Sequence, residues 1–275
     1  MNLLYSRSRL FAIHLCIAMS SFAQPVQQQN GDTLVLDGST LTVGPVGSGK
    51  TLLLTLKELK LVNGGRIVTN GNTLRILAGR VNSDRGQIIS FPPNNSRPPD
   101  VAPGVSGKAG ADGGTVEIEA DELVGRLTVE LSGQNGGLGG RGLDGIPGSS
   151  GARGSDGVDH LFDCAQGGGD GRPGGDGAPG QQGAAGGAAG NGGMLILRGG
   201  VRAQRNSIVF SAPQGEPGVG GSGGLGGPRG SGGQGGSGSV HCGGGHPGPD
   251  GRQGPNGSPG AGGAVGQPGS ISAIK

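Results

Sequence analysis

Short apolar runs broken by turn residues organise the N-terminal third of the chain. "TLVL", "TLTV", "TLLLTLKELKLV", "RIV" and "TLRILA" are separated by Asp37-Gly38, Gly44–Gly49, Asn63-Gly64-Gly65 and Asn70-Gly71. This pattern predicts successive β-strands joined by tight turns. Two later segments, 113–136 and 192–215, have equal length and one layout: a short strand, a polar corner, a second strand, then a glycine-rich stretch. Segment 71–95 begins the same way but continues into the proline-rich run Pro92–Pro103.

Elsewhere a different period takes over. Glycine occupies every third position from Gly133 to Gly157, from Gly168 to Gly186 and, displaced by one residue, from Gly187 to Gly193. A second tract runs from Gly215 to Gly236, breaks at "SGSVHCGG" and resumes from Gly245 to Gly269; a shorter one spans Gly104–Gly113. Period-three glycine implies an extended three-residue helix with one ridge too close to a neighbour to admit a side chain. Each long tract has an interruption midway, so each is expected to run out, turn and return as a hairpin. An arm of 25 residues at about 3.1 Å per residue would reach roughly 75 Å. Short β runs with excursions leaving one corner suggest stacked coils. The expected fold class is therefore all-β, a short β-solenoid-like base with protruding glycine-rich arms.

The tracts at 104–113, 133–193 and 215–269 resemble collagen-like Gly-X-Y proteins, with two departures. The other positions are often glycine themselves ("GSGGLGGPRGSGGQGG"), and each long tract is interrupted. More specifically they look like the hairpins of polyglycine-II bundles, as found in an antifreeze protein and in phage-fibre tips. That resemblance implies arms that hydrogen-bond side by side along their glycine faces.

Composition bears on this picture because 69 of 275 residues are glycine, against roughly 7% in ordinary proteins. Hydrophobic residues make up 31%, too few for a conventional core across the whole chain. Arg7 and Arg9, the apolar run Leu10–Met19 and the exit Ser21-Phe22-Ala23 predict a secretory leader over 1–23. His14, two residues before Cys16, makes a poor lipoprotein signal. A linker over 24–30 and one folded unit over 31–275 complete the expected organisation. Removing the leader deletes two arginines and no acids, so the remaining charges balance. That disfavours nucleic acid or an anionic membrane as the main partner.

Candidate chemistry is sparse. "GPVGSGKT", 44–51, matches a phosphate-binding loop, but a chain this rich in glycine produces such matches readily, and no later apolar strand ends in a magnesium-binding aspartate. The loop is expected to be a turn between strands. His160, Asp163 and Cys164, and His241, Cys242 and His246, are metal-ligand types without a metal-site spacing. Asn94-Asn95-Ser96 fits a glycosylation sequon. Arg141, Asp144, Arg153 and Asp156 read as a solvated face, and no catalytic group, cofactor or metal site is expected.

Two features at the hairpin turns stand out. Cys164 and Cys242 lie in the breaks of different tracts, 31 residues beyond Gly133 and 27 beyond Gly215, so side-by-side arms predict a disulfide between the tips. His160, Leu161, Phe162 and His241 form a candidate contact tip. The plain expectation is that Leu161 and Phe162 pack beneath the neighbouring tip; the sharper one is that they meet a partner. The expected function is a secreted or cell-surface, non-enzymatic attachment or matrix protein with an unidentified ligand, a monomer in preference to a trimer. A trimeric collagen-like rod and an ice- or glycan-binding protein are the alternatives.

Overall fold

The computed structural model describes residues 26–93 and 96–274. The expected leader, Cys16 and the sequon asparagines lie outside the described residues. The architecture is predominantly β. β1 (Val26–Asp37), β2 (Thr40–Thr42), β3 (Thr51–Val62), β4 (Arg66–Val68), β5 (Thr73–Ile89) and β6 (Thr115–Glu130) come first, and β1 starts inside the stretch expected to be a linker. β7 (Val158–Asp159) and β8 (Cys164–Gln166) form an isolated antiparallel pair. β9 (Met194–Gly199), a 3-10 helix (Gly200–Ser207), β10 (Ile208–Ser211) and β11 (Ser270–Ala273) follow.

Apart from β7 and β8, all strands belong to one parallel sheet ordered β1-β3-β5-β6-β9-β11, with β2 on β4, β4 on β5 and β10 on β6. Equivalent positions stack into apolar ladders. Leu52 pairs with Leu74, Leu74 with Val116, Val116 with Leu195 and Leu195 with Ile271. Burial alternates along β3 at Leu52, Leu54 and Leu56, then changes phase at Lys57-Glu58 and resumes at Leu59 and Leu61. The strand thus turns a corner while keeping its apolar side inward, so β5 and β6 run continuously through the polar corners expected to divide them. Outside the sheet, Glu117 takes both Arg75 (2.8 Å) and Arg198 (2.5 Å) from the flanking strands.

The turns carry the expected residues, with Gly38, Asn63, Gly64, Asn70 and Gly71 at positive φ. The phosphate-loop match is one of them. β3, a strand, follows it, so no helix N-terminus faces the loop. Asn72 holds its shape: Oδ1 accepts from Ser48 Oγ (3.0 Å) and Lys50 N (3.2 Å), and Nδ2 donates to the Pro45 carbonyl (2.8 Å).

Five glycine-rich segments leave this base. The short arm (104–113) leads into β6, which continues as the first outgoing arm (133–157). The first returning arm (168–193) enters β9; β10 continues as the second outgoing arm (215–238), and the second returning arm (245–269) enters β11. Sheet register runs on into the arms. Ile208 pairs with Leu127, an offset of 208 − 127 = 81, and Asn135 meets Glu216 at the same offset. Ser270 pairs with Met194, an offset of 270 − 194 = 76, and Asp170 meets His246 at that offset.

At least every third amide along the arms donates to a neighbour, and in the first returning arm two of every three do. Gly142 donates to Ser222, Gln181 to Leu143, Gly180 to Pro255, Gly224 to Gln181 and Gly254 to Gly227, each at 2.8–2.9 Å. The outgoing arms run parallel to each other and antiparallel to the returning pair, and each segment touches at least two others.

Candidate contact site at the arm tips

What the arms can present depends on how glycine is placed. The second outgoing arm carries glycine on two of its three ridges, because both of those ridges abut another arm. A Cβ on Gly224 would lie 2.0 Å from the Leu143 carbonyl oxygen, and one on Gly223 would lie 1.9 Å from that of Gly257. The first outgoing arm doubles its glycines only beside the short arm, where a Cβ on Gly140 would sit 2.2 Å from the Ala102 oxygen. Beyond the short arm the same ridge carries Leu143, Ile146 and Ser149, all exposed.

The one-residue displacement at Gly186-Gly187 is not a break in the helix. Gly186, Ala189 and Gly192 continue donating to the second returning arm, at Ala261, Ala264 and Gln267. Gly187 and Gly190 belong to the adjacent ridge, where a Cβ would meet Lys108 O at 1.9 Å and Ala111 O at 2.0 Å. The glycine requirement moves to the ridge that faces the short arm.

Asp144 and Asp156, expected on a solvated face, are exposed there and also bind backbone, as do Asp170 and Asp176. Asp144 Oδ1 accepts from Leu225 N (2.7 Å), Asp156 from Ser237 N (2.7 Å), Asp170 from His246 N (2.7 Å) and Asp176 from Arg252 N (2.6 Å). Asn135 and Asn191 do the same for Glu216 and Gln267, both at 2.8 Å. Each supplies an acceptor to an amide left over by the main-chain ladder. At the same offsets Pro147 faces Pro228, and Pro173 faces Pro249. Where the neighbour has no N–H, proline replaces the acceptor. The Leu225 amide, aided by the Arg141 guanidinium, holds the Asp144 carboxyl below the ordinary aspartate value.

This scaffold ends in two joined tips. A disulfide links Cys164 to Cys242, 78 residues apart with Cα atoms 4.9 Å apart, as the sequence predicts. Its sulfurs are therefore not available as thiolate ligands, and among the described residues no group of three or more metal-ligand side chains occurs. The Asp159 carboxylate accepts from Ser239 Oγ, from Val240 N (3.0 Å) and from His241 N (3.1 Å), tying the second tip to the first. Across the β7–β8 turn His160 N donates to Asp163 O (2.9 Å).

The β7–β8 turn carries Leu161 and Phe162, 83% and 84% exposed, and the second tip, joined to it through Asp159, carries Val240 at 89%. They do not pack beneath the neighbouring tip. The connections between tips are made by Asp159 and the disulfide instead, which leaves the apolar side chains outside. His160 and His241 are exposed on the same joined tip. Val240 and Asp159 were not singled out in the sequence; the only available signal was their shared offset, 240 − 159 = 81. No protein-family model matches the chain, and no curated protein matches it significantly. Among the described residues, no helix is long and apolar enough to cross a membrane.

Proposed function

We propose that this chain is a secreted or cell-surface, non-enzymatic attachment module: a short β-solenoid base carrying a polyglycine-II bundle whose joined tips make contact with a partner. The corner-turning strands and stacked parallel register support the solenoid reading. The period-three hydrogen bonding between segments supports the polyglycine-II reading. Because glycine N–H groups bond within one chain, they are committed elsewhere than in a three-chain rod, which favours a monomer. A disulfide fits an exported protein.

The exposure of Leu161, Phe162 and Val240 carries the contact assignment. A chain with few large apolar residues sends most of them into the base core, yet leaves these three, the most exposed large apolar side chains among the described residues, at the far end of the arms. An apolar anchor held in place before binding loses little conformational freedom on contact, which favours affinity. The test is flow cytometry of the fluorescent protein on intact cells, comparing it with Leu161→Ser/Phe162→Ser. Attachment should fall at least tenfold while the melting temperature stays the same. Unchanged attachment by the double variant would remove the tip from the function.

A further inference from the structure

A cleft of about 530 Å³ lies where the base meets the arm roots, far along the chain fold from the tips. That volume falls within the roughly 300–1,000 Å³ of small-molecule sites. Its walls come from separate elements: Arg66 on β4, Gln87 on β5, Phe91 just after β5, Glu130 at the end of β6, and Gln214 and Glu216 at the root of the second outgoing arm. Arg66 Nε donates to Gln87 Oε1 at 3.0 Å, which fixes the guanidinium against the wall. The Phe91 ring is braced by the chain behind it, 3.1 Å from where a Gly71 Cβ would stand. Asn135, also lining the cleft, has its carboxamide oxygen taken by the Glu216 amide, and that bond positions the two arm roots across the opening.

We propose that this cleft binds a neutral saccharide. Its chemistry is mixed in the way such a ligand requires. One ring and the apolar Ile89 and Pro93 provide a surface for sugar C–H groups, while planar carboxylates, carboxamides and a guanidinium surround it as hydrogen-bonding partners for hydroxyls. The lining carries two carboxylates against one guanidinium, itself engaged by Gln87, so an anionic ligand is disfavoured. No charge in the ligand is needed, because Glu130 and Glu216 accept from hydroxyl groups with charge-assisted bonds. The site is independent of the tip contact proposed above.

The test is saturation-transfer NMR of the full secreted chain with cellotetraose, laminaritetraose and chitotetraose at millimolar concentration, with spermidine as a cationic control. The key variant is Gln214→Ala/Glu216→Ala. Both side chains are exposed, and the bonds of Glu216 to the neighbouring arm use its main chain, so the variant folds. At least one tetrasaccharide should bind, with affinity reduced at least tenfold in the double variant and again in Phe91→Ala. The proposal is overturned by saccharide binding that the double variant leaves intact, by no binding of any of the three sugars, or by binding of spermidine alone. Attachment of cells through Leu161 and Phe162 should be unaffected by the double variant, which separates this site from the tip.

Discussion

In the base, Leu195 and Leu197 are ordered because burying them removes apolar surface from water, and both are wholly buried in stacked ladders. In the arms there is almost no side chain to bury. Gly224 is ordered because its amide reaches Gln181 and its bare Cα lets the Leu143 carbonyl approach to within 2.0 Å of where a Cβ would be. The base depends on what its side chains add, and the arms depend on side chains being absent. Yet the two regions share a register, since offsets of 81 and 76 hold on both sides of the junction. The sheet therefore sets the height at which each arm starts, and the arms need no apolar core of their own to align.

This difference should be largest when the tips are cut apart. Arms that bury little apolar surface rely on loop closure, and a 78-residue loop is worth about 4.5 kcal/mol on the chain-entropy model. In Cys164→Ser/Cys242→Ser, amide exchange at distal arm glycines such as Gly151 and Gly230 should speed up strongly. Exchange at Leu59 and Ile76 in the base should hardly change, because their burial is independent of the tips. Equal loss of protection in both regions would mean that base and arms unfold as one unit, and the contrast would collapse.

A single methyl sharpens the comparison further. Gly224→Ala adds apolar surface but forces a Cβ into the Leu143 carbonyl, with a cost of about 3 kcal/mol expected for overpacking a rigid site. Leu195→Ala, which removes a buried side chain from the base, should cost about 2–5 kcal/mol. Opposite changes in size thus destabilise the two regions by similar amounts. Gly262→Ala serves as the control: its nearest neighbour would be the Gly218 oxygen at 3.8 Å, so urea unfolding should shift by under about 0.5 kcal/mol. A costly Gly262→Ala would show that glycine is needed for chain flexibility rather than for close approach.

Much of the base was legible because its signals are local. Asp37-Gly38 and Asn63-Gly64 mark turns whatever surrounds them, and the apolar runs between them mark strands, though not the change of phase at Lys57-Glu58. Period three announced the arms, and the positions of Cys164 and Cys242 in the two breaks led to the disulfide. What escaped sequence reading depends on which segment lies beside which. Doubled glycines at 137 and 140 follow from the short arm's length, and the jump at Gly186-Gly187 follows from where that arm packs. The acceptor role of Asp144 and Asp156, read only as solvated charges, and of Asp170 and Asp176, not singled out, escaped because the amides they cap are 81 or 76 residues away. Leu161 and Phe162 were expected inside because apolar residues usually are; nothing local shows that Asp159 makes the connection in their place.

The smallest expected effect concerns one of those acids, and it separates arms from base by pH. The Asp144 carboxyl is held low first by the Leu225 amide and then by Arg141, both of which favour its ionised form. Because the folded value lies below the unfolded one, this contribution is complete above the ordinary aspartate range and is lost as pH falls through the lowered folded value. The carboxyl is exposed, so solvent screening keeps the effect modest. Asp144→Asn keeps an Oδ1 acceptor for Leu225 but cannot titrate. Acidification of the parent protein should therefore speed amide exchange at Leu225, and the asparagine variant should lose that pH dependence while retaining protection at neutral pH. Exchange at Ile118 in the base, which no titrating side chain caps, should follow only the intrinsic chemistry of exchange. If Leu225 in the variant still loosens on acidification, the acid sensitivity of the arm comes from other groups, and the acceptor role of Asp144 is structural without being a pH-dependent one.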